Sequence, residues 1–325
     1  MTRKQRRRLI AIGAALAVGL PALNLAWSWW APGPLPADTQ VTVPDGASLA
    51  SVAMRLEKGG VVRSAFNFRW HAKLLAMGRK LKAGEFLLPA GASESQVLAI
   101  ITGDNALRRF VTVPEGLPSV MVQEKLLSET MLAGPAPLPA EGSILPETYD
   151  FARGESRAEV VGRMQAAMTK ALAEEWAARA PDLPVKTPAE ALTLASIVEK
   201  ETGKSEERAM VAGLYENRLK KGIMLQADPT IIYPITKGKP LGRRIRESEI
   251  HAVNGYNTYA MAGLPDGPIT NPGRASIHAV LHPAKTEVLY MVADGSGGHV
   301  FATTLDEHNR NVARWFAIRR ARGEL

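Results

Sequence analysis

A long segment without charge near the N-terminus constrains the architecture of this chain most. Residues 9–37 carry no charged side chain, and the apolar part at residues 9–30 matches the ~20 residues that a helix needs to cross a bilayer. The run is long for a signal peptide, and Trp-Ser-Trp-Trp at its end lacks the small residues of a cleavage site. We therefore predict an uncleaved single-pass anchor at residues 9–30.

The residues on either side of this segment predict its orientation. Residues 1–8 form a basic tail that the positive-inside bias keeps in the cytoplasm, with charges at Arg3, Lys4, Arg6, Arg7 and Arg8. Trp27, Trp29 and Trp30 suit an interfacial belt at the far end. The rest of the chain is then expected outside the cytoplasmic membrane.

Composition narrows the classes of function. The formal net charge is +8, but the tail supplies five of these charges, so the remainder is only mildly basic and does not indicate a nucleic-acid partner. The chain has no cysteine, so its fold needs no disulfide. Walker, GxGxxG, GxSxG and HExxH motifs are absent from the sequence, and we predict neither a cofactor nor a bound metal.

Two similar segments indicate how the exterior part is organised. After a Pro-rich stem at residues 31–39, Val-Thr-Val-Pro-Asp-Gly at 41–46 recurs as Val-Thr-Val-Pro-Glu-Gly at 111–116. Each predicts a short strand, a turn and a helix. We predict an α+β protein with a small βα module at residues 40–104 and a larger mixed domain at residues 105–325. In the small module the pattern predicts helices at 48–58 and 66–77 and a strand at 85–88.

One helix of the larger domain carries the most informative carboxylate. Thr187 and Pro188 predict its start, and Leu194, Ile197 and Val198 form an apolar stripe along it. Glu201 falls in the middle of that stripe. Burial raises the pKa of a carboxyl group, as a general acid working near neutral pH requires. The alternative is a structural Glu201 that pairs with a buried Arg or Lys. Glu199 lies nearly opposite, on a polar face with Thr193 and Ser196.

The remaining segments predict elements and polar loops. Ser205 is expected to cap a helix that ends near Gly222, and residues 225–230 are expected to lead into a β-rich run through Tyr233. A predicted hairpin joins 286–293 to 299–303, and a helix follows from 305 to 322. His278 and His282 are four residues apart, but Pro283 follows at once, so this pair favours a structural role over a zinc site. The loops are rich in Asn, Gln, Thr and Tyr, which suits a carbohydrate ligand.

Several linked motifs carry a family resemblance. The segments ASIVEKET at 195–202, LQADPT at 225–230, YNTY at 256–259 and GLP at 263–265 resemble the YceG/MltG family of membrane-anchored endolytic murein transglycosylases. HPAKT at 282–286, GGHVF at 297–301 and HN at 308–309 extend the resemblance nearly to the C-terminus. The resemblance covers almost the whole exterior part. Because several motifs occur in the same order as in the family, it is far more specific than any single motif.

The resemblance implies a function and a set of residues. The expected activity is cleavage of the MurNAc–GlcNAc β-1,4 bond in nascent glycan strands with formation of a 1,6-anhydroMurNAc end, which terminates glycan elongation. Residues 40–104 are similar to a LysM-like subdomain, and the catalytic domain is expected in the periplasm, held by the inner membrane. Peptidoglycan synthases and division proteins are implied as partners. Glu201 is the expected catalytic residue, and the expected glycan contacts are Gln226, Asp228, Thr230, Tyr256, Asn257, His299 and Asn309.

Two other functions stay open at this point. A muramidase would need a second carboxylate to activate water or form a covalent intermediate, and Asp228 or Glu199 would have to supply it. Helical phase argues against Glu199. A non-catalytic scaffold that binds envelope glycans is the other alternative.

Overall fold

The computed structural model describes residues 3–75 and 80–324, and these residues form two compact units. Unit 1 extends to residue 109 and includes residues 152–154. Unit 2 comprises residues 110–151 and the chain from residue 155 onward. Helices and small two-stranded sheets occur in both, which confirms the predicted α+β class.

Unit 1 is built on the first copy of the repeated segment. Its elements in chain order are α1 (Arg3–Trp30), β1 (Thr39–Val43), α2 (Leu49–Lys58), α3 (Ala65–Leu75), β2 (Gly84–Leu88) and α4 (Glu94–Thr102). β1 and β2 pair antiparallel, with Val43 opposite Gly84. Ser48 caps α2 by accepting a hydrogen bond from the amide of Ser51. The predicted end of α3 at Met77 lies outside the described residues.

The N-terminal segment differs from the sequence-based expectation. Among the described residues, no helix combines the length and the apolarity that crossing a membrane requires, and many side chains of the predicted anchor lie outside the described set. The prediction that Trp29 belongs to an interfacial belt is wrong. Its side chain is 7% exposed and packs in the core of unit 1, with its ring centroid 5.3 Å from that of His71.

The Pro-rich stem also packs against unit 1 and does not stand free. Ala31 and Leu35 are buried, and Gly33 N–H donates to the carbonyl of Gly91 at 2.9 Å. The Gly91 N–H in turn donates to the carbonyl of Leu35 at 2.9 Å. Burial of the two apolar side chains, together with these paired backbone groups, stabilises the segment in this position.

Unit 2 begins with the second copy of the repeated segment. Its strands are β3 (Arg109–Thr112), β4 (Thr148–Phe151), β5 (Tyr290–Ala293) and β6 (His299–Ala302), where β3 begins one residue before the boundary. Its helices are α5 (Ser119–Ser128), α6 (Arg157–Ala177), α7 (Pro188–Glu201), α8 (Arg208–Lys220), α9 (Asp228–Thr236), α10 (Glu247–Ile250), α11 (Arg274–Leu281) and α12 (Leu305–Ala321). A 3₁₀ turn at Ser205–Glu207 precedes α8.

Helix α7 lies at the centre of unit 2. Thr187 caps it by accepting a hydrogen bond from the amide of Glu190, with Pro188 at the start, as predicted. The prediction of a polar face along this helix is wrong, because α6, α8, α9 and α11 pack around it and bury Thr193 and Ser196. The Ser196 hydroxyl donates to the carbonyl of Thr193 at 2.7 Å and accepts from Ile269 N–H at 3.0 Å, which satisfies the buried group.

Two further elements refine the predictions. The expected β-rich run through Tyr233 is wrong, because residues 228–236 form helix α9. Asp228 and Pro229 favour the first turn of a helix, and this start signal outweighs the β-branched residues that follow. The hairpin is confirmed, with Ala293 opposite His299, but its first strand begins only at Tyr290.

Candidate active site

A cleft of about 360 Å³ opens at the C-terminal end of α7. Helices α7, α8 and α9 form its floor, and the β5–β6 hairpin forms one wall. The lining residues are Lys200, Glu201, Leu214, Tyr215, Arg218, Leu225, Gln226, Asp228, Pro229, Ile232, Tyr259, Met291, Val292, Ala293 and His299. The cleft therefore brings together Glu201, Gln226, Asp228 and His299, four of the residues that the sequence indicates.

The Glu201 carboxyl group has the properties of an acid that is protonated near neutral pH. Burial raises its pKa to about 7, and the negative charge of Asp228 adds to the effect. A hydrogen bond from the Tyr215 hydroxyl acts in the opposite direction, because it stabilises the ionised form. Oxygen Oε1 of Glu201 is buried and has no hydrogen-bond partner among the described residues. One oxygen is thus held by Tyr215, and the other makes no hydrogen bond within the described part of the chain.

Arg218 lines the same cleft and lowers the Glu201 pKa slightly, but its guanidinium binds the surrounding backbone. It donates to the carbonyls of Leu289 at 2.6 Å, Leu225 at 2.9 Å and Met224 at 3.1 Å. Its charge is the smallest of the named influences on the Glu201 pKa. Arg218 therefore joins the loop before α9 to the residue before β5, and within the described part of the chain Glu201 has no ion pair.

The loop that Arg218 holds presents two polar side chains to the cleft. Gln226 has a left-handed backbone with φ +53°, and its backbone N–H donates to the carbonyl of Thr258 at 3.1 Å. Its side-chain oxygen accepts from Arg218 at 3.3 Å. Asp228 accepts a hydrogen bond from the Tyr259 hydroxyl at 2.7 Å. These contacts fix both side chains on the same side of the cleft as Glu201.

Four of the expected glycan contacts lie elsewhere. Thr230 and Asn257 are completely buried. Thr230 bonds to Thr258 and to the carbonyl of Ala227, and Asn257 donates to three backbone carbonyls of the 249–252 turn. They shape the loops behind the cleft. Tyr256 packs against Tyr233 at a ring-centroid distance of 4.8 Å, and Asn309 is exposed on α12; neither lines the cleft.

Glu199 and His299 have defined structural partners. Glu199 accepts from the backbone N–H of Gly273 at 2.9 Å, lies 3.7 Å from the Arg208 guanidinium and does not line the cleft. It is therefore not positioned to assist Glu201. His299 lines the cleft, and its ring nitrogen Nδ1 lies 2.8 Å from a carboxylate oxygen of Glu207, which orients the imidazole.

Sequence reasoning missed Tyr215 and Arg218. Both lie on α8, three residues apart, so they project from the same face of that helix. The sequence offered one signal for them, a Tyr and an Arg three residues apart on the helix that follows the Glu201 helix. Their roles depend on how α8 packs against α7, which no single segment reveals.

Glu216 is a second buried carboxyl group that must be distinguished from Glu201. Burial raises its pKa to about 7, and neither side-chain oxygen has a hydrogen-bond partner among the described residues, although Lys220 lies 3.5 Å away. Glu216 does not line the cleft. A raised pKa alone therefore does not select the acid, whereas position in the cleft favours Glu201.

The histidine pair at the end of α11 lies beside a buried carboxylate. Ligand atoms of Glu175, His278 and His282 lie within 4.8 Å of one another. Arg274 Nε donates to Glu175 at 2.7 Å, and His278 Nδ1 lies 2.8 Å from its other oxygen. The carboxylate is thus already neutralised by a cation, and the cluster is explained by an ion-pair network between α6 and α11.

Comparison with known proteins identifies a family to which this chain is similar. Residues 41–314 match the model of the YceG-like family. A Bacillus subtilis (strain 168) protein called endolytic murein transglycosylase is 27% identical over 309 residues, which cover 85% of this chain and 84% of its own. A Streptococcus pneumoniae (serotype 2, strain D39) protein of the same name is 29% identical over 323 residues. That match covers 84% of this chain and 57% of the pneumococcal protein.

The fold has a counterpart among crystal structures. A YceG-like protein from Listeria monocytogenes, solved at 2.6 Å, aligns with a TM-score of 0.51 at 24% identity. The alignment covers 84% of this chain and 98% of the Listeria chain.

Proposed function

Because the chain belongs to the YceG-like family, we propose that it is an endolytic peptidoglycan lytic transglycosylase with Glu201 as its catalytic acid. The observation that carries the proposal is a buried Glu201 carboxyl group that lines a cleft, has a pKa raised to about 7 and, among the described residues, forms no ion pair. The names of the relatives, which are similar over most of the chain, support the same activity.

The proposed reaction needs one carboxyl group. Protonated Glu201 donates its proton to the glycosidic oxygen as the bond from that oxygen to the MurNAc anomeric carbon breaks, and positive charge develops at this carbon. The Glu201 carboxylate then takes the proton of the C6 hydroxyl, and O6 bonds to the anomeric carbon to close a 1,6-anhydro ring. Glu201 ends protonated and no water is consumed. The attack is intramolecular, which gives it a large effective concentration.

The lining residues supply the contacts for the glycan. Gln226, Asp228 and His299 are the proposed hydrogen-bonding groups, because each is polar, lines the cleft and is held by a neighbour. Thr230 and Asn257 act through the loops that they stabilise. The Tyr215 hydroxyl keeps the Glu201 carboxyl group in place during both proton transfers.

The cellular setting is part of the same proposal. Residues 9–30 would anchor the protein in the inner membrane, with the N-terminus in the cytoplasm and the chain after the anchor in the periplasm, as the basic tail and the charge-free run indicate. Residues 40–104 would form a LysM-like subdomain, and the strand–helix–helix–strand order of β1, α2, α3 and β2 supports this. Action on nascent strands would end their elongation, beside synthases and division proteins.

One observation favours a muramidase as the second candidate. Asp228 lines the same cleft as Glu201, and its charge raises the Glu201 pKa, so the two carboxyl groups are close enough to interact. Asp228 could then activate a water molecule, as one carboxylate of a glycoside hydrolase does. Its hydrogen bond from the Tyr259 hydroxyl holds the Asp228 carboxyl group in place at the cleft.

The products of the reaction separate the two candidates. The full-length protein in detergent would be incubated with uncrosslinked glycan strands, and the new ends identified by mass spectrometry. We expect 1,6-anhydroMurNAc ends, 18 Da lighter than reducing ends because no water is added. Reducing MurNAc ends would establish the hydrolase and reject the lytic reaction. Absence of any cleavage would reject both.

The pH dependence of kcat/KM tests the environment assigned to Glu201. Since the acid must be protonated, kcat/KM is expected to fall above about pH 7. Asp228→Asn removes the charge that raises the pKa and should move this fall to lower pH, by about half a unit to one unit. Tyr215→Phe removes the hydrogen bond that stabilises ionised Glu201, so the fall in kcat/KM should move to higher pH. Tyr233→Phe, a tyrosine outside the cleft, serves as the control. Shifts of the same sign in both variants would contradict the assignment.

A further inference from the structure

A second cleft of about 430 Å³ adjoins the Glu201 cleft in unit 2. Its lining residues are Gly116, Leu117, Pro118, Met121, Lys200, Pro229, Ile232, Gly238, Lys239, Pro240 and Ile269. Lys200, Pro229 and Ile232 line both clefts, so one continuous surface leads from Glu201 into the second cleft. We refer to this second cleft as the side cleft.

The walls of the side cleft come from three separate parts of unit 2. Met121 lies on α5, Ile232 lies on α9, and the turn at residues 238–240 closes the cleft against residues 116–118. This closure requires glycine at residue 238, where φ is +83° and a Cβ atom would lie 2.7 Å from Cβ of Pro118. The packing of these parts therefore builds a defined recess with mainly apolar walls.

Two lysines bring positive charge to these apolar walls. Lys200 Nζ lies 3.4 Å from the carbonyl of Gly116, and among the described residues no carboxylate lies within ion-pair distance of it. Lys239 Nζ lies 2.5 Å from a Glu124 carboxylate oxygen, and both of these side chains are largely exposed. The side cleft thus combines apolar surface with two ammonium groups. That of Lys200 has no ion-pair partner among the described residues, and that of Lys239 forms an exposed ion pair with Glu124.

This combination does not suit the sugar rings of the glycan, whose surface consists of uncharged hydroxyl and acetamido groups. It suits the substituent on O3 of MurNAc. The D-lactyl ether and the first alanine offer methyl groups, and the γ-linked D-glutamate that follows offers a free α-carboxylate. Because this substituent leaves the same ring whose anomeric carbon must lie at Glu201, it has to exit along a surface next to the Glu201 cleft.

We propose that the side cleft binds the stem peptide of the MurNAc residue at the cleavage site, with its methyl groups on the apolar wall and its carboxylate at Lys200 and Lys239. The inference rests on the proposed function. It makes the side cleft a specificity element that favours peptide-bearing strands over strands from which peptides have been removed.

The test compares two substrates made from one glycan preparation, with peptides intact or removed by an N-acetylmuramyl-L-alanine amidase. The amidase leaves the lactyl group with its carboxylate on MurNAc, so the two substrates differ in the alanine methyl group and in the D-glutamate carboxylate further from the ring. For the full-length enzyme we expect kcat/KM to be about tenfold higher on the peptide-bearing strands, as a few buried methyl groups and an ion pair would give. Met121→Ala should reduce this preference about fivefold. Neither Met121 nor Lys239 touches the Glu201 cleft, so cleavage of the bare strands should not change.

Lys239 and its ion-pair partner provide a matched pair of variants. Lys239→Ala should reduce the preference about two- to fivefold, because the peptide carboxylate loses a cation and meets Glu124 instead. Glu124→Ala removes the same ion pair but keeps the cation, so the preference should be retained or increase. On strands whose D-glutamate carboxylate is amidated, Lys239→Ala should have no effect.

Each outcome decides the proposal. Equal kcat/KM of the wild-type enzyme on both substrates, or equal losses in Lys239→Ala and Glu124→Ala, would overturn it. Equal losses would show that the ion pair only stabilises the fold. Failure of the proposed function looks different, since neither substrate would then be cleaved.

Discussion

Replacing Glu201 with glutamine is expected to lower kcat for glycan cleavage by about two to four orders of magnitude, the usual contribution of general acid catalysis. Glutamine has the shape of the protonated acid and can accept the Tyr215 hydrogen bond, but it cannot donate a proton to the glycosidic oxygen. Binding of the glycan should therefore survive while the chemical step is lost. Single-turnover cleavage of uncrosslinked strands, together with a binding measurement on the same preparation, would check both.

Glu216→Gln is the matched control for this experiment. Glu216 lies on α8, is also buried and also has a pKa raised to about 7, yet it does not line the cleft. The same isosteric change should leave kcat within about a factor of two to three, as is usual for a residue that does not contact the reacting groups. If Glu216→Gln lost most of its activity while Glu201→Gln stayed active, the assignment of the catalytic acid to Glu201 would be wrong.

Three other buried carboxylates have charged partners that Glu201 lacks. Glu85 in unit 1 has Arg109 at 2.6 Å and Arg153 at 2.9 Å. Glu175 has Arg274 and His278, and Glu199 has the Gly273 amide with Arg208 nearby. Each of these ions is compensated, as burial of a charge normally requires. Among the described residues, the Glu201 carboxyl group has a hydrogen bond from the neutral Tyr215 hydroxyl and no ion pair, so its ionisation costs stability, which suits an acid.

Helical periodicity was sufficient to predict that the Glu201 side chain is buried, because its position relative to Leu194, Ile197 and Val198 is a local property of α7. The surroundings of Glu201 were not predictable in the same way. Tyr215 and Arg218 reach the cleft only because α8 packs on α7. Thr230 and Asn257 had the composition of glycan contacts but are used to join loops, and only tertiary packing distinguishes these two uses.

Local signals also competed with one another at α9. The β-branched residues after Pro229 favour a strand, whereas Asp228 and Pro229 favour the start of a helix, and the helix formed. This outcome matters for the site, since a helix that starts at residue 228 places Asp228 and Ile232, one turn apart, on the same side of the cleft. For the Pro-rich stem, composition predicts stiffness, but it does not predict the surface against which the stem packs.

The stability of the Glu201→Gln variant relative to the wild type is expected to increase with pH. The pKa of Glu201 is about 7 in the folded protein, whereas that of a free glutamate carboxyl group is 4.5, so the wild-type protein loses stability as pH rises from about 4.5 through 7. Below that window both proteins carry a neutral side chain and the effect vanishes. Above it the difference between these two pKa values corresponds to about 3 kcal/mol in favour of the variant.

Urea unfolding of both proteins at pH values from 4 to 9 would measure this difference, with a probe in unit 2 such as Trp176, since two units need not unfold together. Glu124→Gln, at an exposed position, should show no comparable trend. A difference between Glu201→Gln and wild type that does not change with pH would mean that the carboxyl group is not perturbed in the folded protein. A difference that grows with pH, combined with lost cleavage, would show that the fold sacrifices stability at Glu201 to keep a protonated acid at the cleft.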